Sequence, residues 1–106
     1  MRVQRGEVWE YDHPDRPERV RVVVLSTDAY NEDERSRPLV AEIVRRIAGV
    51  SAPFLVPLAD PDPVGGVVDL TSLRTVSRHG LVSVVGMLTG GTLARIADAL
   101  IAFTEP

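Results

Sequence analysis

Arg19-Val20-Arg21-Val22-Val23-Val24-Leu25-Ser26-Thr27-Asp28-Ala29-Tyr30-Asn31 joins the longest β-branched run of the chain to a turn rich in polar capping residues. The segment Val22 to Leu25 shows no polar alternation, which is the pattern of a strand buried on both faces, and four residues are too few for a buried helix. Arg19 and Arg21 stand where that strand enters the core. Whether they carry chemistry is the question the rest of the sequence bears on.

Working back towards the N-terminus, Gly6 to Tyr11 sets Val8 and Tyr11 against Glu7 and Glu10, which predicts a short first strand. Trp9, the only tryptophan, reads as a core or rim anchor. The proline-bearing segment Asp12 to Glu18 is a loop that returns the chain to the second strand, Arg19 to Ser26.

Working forwards, the polar run Ala29 to Pro38 has room for one helical turn, closed by Pro38. Leu39 to Ile47 predicts a third strand with Leu39, Ala41, Ile43 and Ile47 on one side, ending in Arg45-Arg46. Phe54 to Leu58 predicts a fourth, with Pro57 assigning it to a sheet edge. Asp60 to Gly66 is a second loop. Val67 to Leu70 and Leu73 to Val76 read as two short apolar pieces joined by Thr71-Ser72, and Leu81 to Leu88 as the last strand. The chain closes in a helix capped by Thr89, with Leu93, Ile96, Ala97, Leu100 and Phe103 at helical spacing. Five or six short strands with regular turn signals and one helix predict a mostly β fold, a small curled sheet or barrel.

Composition narrows the function. A chain of 106 residues is expected to be one domain, 1–106, with a single core, small enough that an oligomer would help its stability. Its 44% apolar and 25% charged residues place it with soluble globular proteins, and no run approaches the roughly 18 apolar residues of a membrane span. Met1 to Glu7 contains no apolar stretch of the secretory type, so a cytoplasmic protein is expected. The absence of cysteine removes disulfides and thiolate metal sites. A net charge of −3 argues against non-specific coating of nucleic acid, while leaving a local basic site open. All 12 basic residues are arginine, which reflects either codon bias or recognition of phosphate by guanidinium forks. Residues 1–53 hold nine of them and ten acids, so a basic surface for a polyanion is sought in that half.

The candidate residues follow from this layout. Arg19 and Arg21 are either phosphate binders or strand-end charges paired with Glu18 and Glu10. Arg45 and Arg46 are either a solvated pair or a substrate contact. Arg74 lies between apolar residues and must be paired, so a structural role with Asp69 competes with a place at the site. Glu18, ending the loop beside the arginines, is the candidate for proton transfer. Ser72 offers a hydroxyl near Arg74 or else caps a turn. His13 and His79 both fall in turns and read as exposed, and Gly65-Gly66 is a turn with no helix after it to bind phosphate.

In this order the segments resemble the MazF/PemK toxin family over nearly the whole length. Arg5-Gly6-Glu7-Val8-Trp9 is similar to that family's first strand, and Val22 to Asn31 to its second strand and turn. Gly66 to Val76, with Leu73 before Arg74-Thr75, is similar to its most recognisable segment, and Gly86 to Leu100 to its tail. The resemblance implies an SH3-like barrel of the CcdB/MazF kind with a C-terminal helix, usually a homodimer. It implies the toxin of a type II toxin–antitoxin pair, cutting single-stranded RNA by attack of the 2′-hydroxyl on its own phosphate, with no metal and no cofactor. The partners implied are a cognate antitoxin, whose extended acidic and apolar segment covers the groove, and single-stranded RNA, with no membrane.

On this resemblance Arg21, Arg19 and Glu18 are the expected catalytic residues and Arg45, Arg46, Ser72 and Arg74 the expected RNA contacts. The chain departs from the family in two places. Val20 and Arg21 stand where the family has Arg-Pro, and Ile43-Val44 stands where it often has a hydroxyl-bearing pair. Two other readings keep the fold: a toxin acting on a protein target such as DNA gyrase, as the related CcdB toxins do, or a degenerate inactive homologue. The first is tied to the end of the last helix, which Phe103-Thr104-Glu105-Pro106 does not resemble.

Overall fold

The structure is a computed structural model that describes residues 1–45 and 52–105. Six strands form one sheet: β1 Glu7–Tyr11, β2 Val20–Val24, β3 Leu39–Val44, β4 Leu55–Pro57, β5 Val67–Thr75 and β6 Leu81–Met87. They lie in the order β4-β5-β3-β2-β1-β6, and every pairing is antiparallel. Two helices accompany them, the single turn α1 Asp28–Asn31 and the C-terminal α2 Gly90–Thr104.

The β-branched run of β2 lies at the centre. Val22, Val23 and Val24 are each 0% exposed. Alternation sends Val22 and Val24 to one core with Trp9, Tyr11, Val40, Val76 and Leu81, and sends Val23 and Leu25 to another with Val8, Ala41, Val68, Leu70 and Ile96 of α2. The first core lies inside the curl of the sheet, where the guanidinium of Arg74 on β5 stands 5.7 Å from the centre of the Tyr11 ring on β1. Those two strands are three places apart in the sheet, so the sheet must roll for them to meet. The second core is covered by α2.

The turn after β2 is held by its own side chains. Thr27 accepts from the backbone N–H of Tyr30, the hydroxyl of Ser26 donates to Asn31 Oδ1 at 2.6 Å, and Asn31 Nδ2 donates back to the Ser26 carbonyl at 3.0 Å. The N-terminus of α2 is capped twice, by the hydroxyl of Thr89 and by Asp62 from the β4–β5 loop. Burial disfavours the ionised form of Asp62. Hydrogen bonds from Thr89 N–H, Thr92 hydroxyl and Ala59 N–H outweigh it and hold the carboxyl below its ordinary pKa.

Several expectations are sharpened by the tertiary structure. The two apolar pieces around Thr71-Ser72 are one nine-residue strand, with a shift of register against β3 between Val40 and Glu42. The irregularity changes the parity of β5: Leu70 and Leu73, three apart, both pack against the α2-side core. On α2, Ala99 and not Ala97 joins Leu93 and Leu100 against that core, and Phe103 packs against Phe54 in a tilted arrangement with ring centres 4.9 Å apart. The third strand ends at Val44, short of Ile47, which lies outside the described residues. Pro57 does mark an edge, since β4 pairs only with β5.

Candidate functional site

Strand parity divides the arginines at the start of β2. Val20 and Val22 face the inner core, so Arg21 leaves on the α2 side, opposite Glu10 on β1 and Ile43 on β3. Its Nε is 3.7 Å from Glu10 Oε1, with half of the side chain exposed. This is an ordinary cross-strand pair of opposite charge, weak at such exposure. Among the described residues the guanidinium therefore has most of its donors free for another anion.

Arg45, the residue after β3 has ended, is exposed on the same side. With Arg21, Ile43, Val44, Gly65 and Gly66 it lines an open depression of about 300 Å³. The floor of that depression depends on Gly66, whose φ of +108° belongs to glycine and whose missing Cβ would meet the Val44 carbonyl oxygen at 2.6 Å. Two arginines expected from sequence are thus brought together. Arg19 is held by Asp12, Nε to Oδ1 at 3.0 Å, and not by Glu18, which is exposed on the loop with no ion pair among the described residues. Arg46 lies outside the described residues.

The other expected residues lie across the sheet. Arg74 faces the inner core side, and its partner is Glu42, Nη2 to Oε2 at 3.3 Å, where Asp69 was expected. Asp69 is occupied instead by the backbone N–H and hydroxyl of Thr71, at 2.9 and 2.6 Å. Ser72 closes the irregularity in β5: its hydroxyl accepts from Glu42 N–H at 2.8 Å and donates to the Asp69 carbonyl at 2.6 Å. That hydroxyl is committed to the backbone.

Two residues that sequence reasoning missed complete this side. Glu42 is 5% exposed, and Arg16 from the β1–β2 loop grips it end-on, Nη1 to Oε1 at 2.8 Å and Nη2 to Oε2 at 3.4 Å. Glu42 carried a readable signal. A carboxylate set between Ala41 and Ile43 in an apolar strand requires a cation as partner. Arg16 carried none, because its partner is 26 residues away. Val20 and Val44, the two positions that depart from the family pattern, bring no polar side chain to this region.

His13 accepts from Asp15 N–H through Nδ1 at 3.0 Å, and His79 is exposed on a 3-10 turn. No group of three or more His, Asp or Glu among the described residues is placed to hold a metal ion. No helix among them is long and apolar enough to cross a membrane.

The family model for PemK-like, MazF-like toxins of type II toxin–antitoxin systems matches residues 4–104. No curated protein matches the chain by sequence. Among solved structures, the chain is similar to an endoribonuclease in complex with its cognate antitoxin from a Mycobacterial species, with a TM-score of 0.84 at 21% identity over 94% of this chain and 92% of that one. It is similar also to MazF from Deinococcus radiodurans, with a TM-score of 0.77 at 24% identity over 97% and 96% of the two chains. A third is the Mycobacterium tuberculosis toxin MazF-mt6, with a TM-score of 0.74 at 16% identity over 91% and 93%. At these identities the likeness is one of fold.

Proposed function

This chain belongs to the PemK-like, MazF-like toxin family of type II toxin–antitoxin systems, and from that premise we propose that it is a homodimeric, metal-independent endoribonuclease of single-stranded RNA restrained by a cognate antitoxin. The observation that supports this most directly is the opening of Arg21 and Arg45 into one depression beside the Gly66 turn. A phosphodiester seated there meets two guanidiniums, that of Arg21 in a loose pair with Glu10.

The reaction is an internal transfer. The 2′-oxygen of one nucleotide bonds to the adjacent phosphorus, the bond from phosphorus to the 5′-oxygen breaks, and the products are a 2′,3′-cyclic phosphate and a 5′-hydroxyl. One proton leaves the 2′-hydroxyl and one is delivered to the departing 5′-oxygen. Negative charge grows on the non-bridging oxygens as the fifth bond forms, and a guanidinium fork stabilises it by two parallel hydrogen bonds. Arg21 takes that role, with Arg45 as the second cation. We assign Arg19 a share in the catalytic charge, Arg46 a contact to the RNA backbone, and Glu18, exposed in its loop with no ion pair among the described residues, the role of proton acceptor. A structural relative was solved with its cognate antitoxin, and an acidic segment of such a partner would compete for the same arginines.

Incubation of the purified protein with mixed RNA in the presence of a chelator tests the reading. The expected products end in 2′,3′-cyclic phosphate, and Arg21→Ala slows their appearance. Absence of cleavage at every concentration defeats the enzyme reading. One observation favours a second reading in that event: Val20 and Val44 offer no polar group where the family's usual residues stand, as in an inactive homologue that keeps antitoxin binding. A gyrase supercoiling assay separates it from a toxin acting on a protein target.

A further inference from the structure

Two guanidiniums share one carboxylate on the side of β2 and β3 opposite the Arg21–Arg45 depression. Arg16 binds both oxygens of Glu42 through its two Nη atoms, and Arg74 stands 3.3 Å from Oε2. Asp69 is opposite Glu42 in the β3–β5 register, yet its Oδ1 is taken by Thr71 and no ion pair joins it to Arg74. Two positive charges therefore face one negative charge among the described residues. The surplus cation is not buried away from solvent, since the side chain of Arg16 is 41% exposed and that of Arg74 34%.

The donors are also in surplus. An end-on grip uses one proton on each Nη of Arg16 and leaves the Nε proton and the outer Nη protons without a partner among the described residues. Arg74 Nη2 is buried without a hydrogen bond of good geometry among the described residues, close to Glu42 but misaligned with it. A carboxylate serving only to neutralise one structural arginine would not leave this much unspent.

Position links the cluster to the proposed cleavage site. Arg21 and Val22 are consecutive on β2, and they pair with Ile43 and Glu42, which are consecutive on β3. The cations of the two faces thus flank the same two rungs of the sheet. Arg16 belongs to the loop that carries Glu18 and Arg19 into β2. RNA that engaged both sets would pass round this end of the sheet.

We propose that Arg16 and Arg74 form a second phosphate subsite for the RNA, with Glu42 as the positioning residue that holds both guanidiniums in place. The proposal rests on the reading of single-stranded RNA as substrate. Glu42 fixes the plane of the Arg16 fork before substrate arrives and keeps two like charges close together, which neither arginine could achieve alone.

The test is binding of a labelled, mixed-sequence single-stranded RNA across a range of salt, with folding of each variant followed by circular dichroism. Arg16→Ala is expected to weaken binding several-fold and to lower the slope of log affinity against log salt by about 0.7, the loss of one phosphate contact on a single strand. Arg16→Gln keeps a hydrogen-bond donor for Glu42 without the charge and gives the same loss of slope, so a folding defect in the alanine variant does not block the test. Glu42→Gln binds RNA at least as tightly, having lost a negative charge, but cleaves it more slowly, a fall in kcat without a rise in KM. Wild-type slope and affinity in both Arg16 variants overturn the subsite alone. Unchanged kcat in Glu42→Gln overturns the positioning role. A wild-type protein that binds no RNA overturns the RNA reading and the subsite with it.

Discussion

The hydroxyl of Ser72 accepts the backbone N–H of Glu42 at 2.8 Å, across 30 residues of sequence. This one bond joins the irregular point of β5 to the strand that carries the buried carboxylate. The same hydroxyl donates to the Asp69 carbonyl, so Ser72 serves both strands where the ladder between them is interrupted.

Ser72→Ala therefore leaves a buried N–H without its acceptor and should destabilise the fold by about 1–3 kcal/mol. Urea denaturation would register this as a lower midpoint with an unchanged slope. RNA affinity of the folded fraction stays at the wild-type value, because the hydroxyl has no proton to spare for substrate. A variant of full stability and reduced RNA affinity would return Ser72 to the set of RNA contacts.

Gly66→Ala should cost about 2 kcal/mol or more, since alanine is strained at a φ of +108° and its Cβ would press on the Val44 carbonyl oxygen. That carbonyl is backbone and yields only by moving the end of β3. The depression between Arg21 and Arg45 opens with it, so RNA binding falls together with the melting temperature. Gly65→Ala is the control: its Cβ meets nothing within 4 Å and its effect should be small.

Asp62 gives the fold an acid-sensitive cap. Its carboxyl titrates below the ordinary value because the bonds from Thr89, Thr92 and Ala59 outweigh burial. The unfolded chain thus binds the proton more readily than the folded one. The stabilisation is complete above the unfolded pKa, about 3.9 for aspartate, and is lost as pH falls through the lower folded value. Asp62→Asn should be less stable than wild type at neutral pH, and the difference should shrink on acidification. A gap between the two that is the same at pH 7 and pH 2 would refute this assignment.

Arg21 and Arg45 line one depression, so their contributions to RNA binding should not be independent. Arg21→Ala and Arg45→Ala should each weaken binding by roughly 3- to 10-fold and lower the salt slope by about 0.7. In the double variant the free-energy loss should differ from the sum of the single losses by about 0.5 kcal/mol or more. Strict additivity would mean that the two guanidiniums bind separate phosphates.

The order of elements was legible because it depends on local pattern. Val22 to Leu25 reads as doubly buried, Pro57 as an edge and Thr89 as a cap, and each does so in the fold. The irregularity in β5 was legible only as an interruption at Thr71-Ser72. Its meaning, one strand whose parity changes, needed the partner strand.

The sequence by itself determined the class of fold, the family pattern and the presence of arginines at the start of β2 and the end of β3. Tertiary structure alone decided which arginines share a face. A strand reverses the direction of its side chains at every residue, so the choice between Val20 and Arg21 for a given side rests on register and not on composition. It also decided that Glu42, and not Asp69 or Glu18, is the carboxylate that organises cations, because β3 lies between β5, which carries Arg74, and β2, whose entering loop carries Arg16. Contacts between such elements leave no local periodicity for the sequence to show.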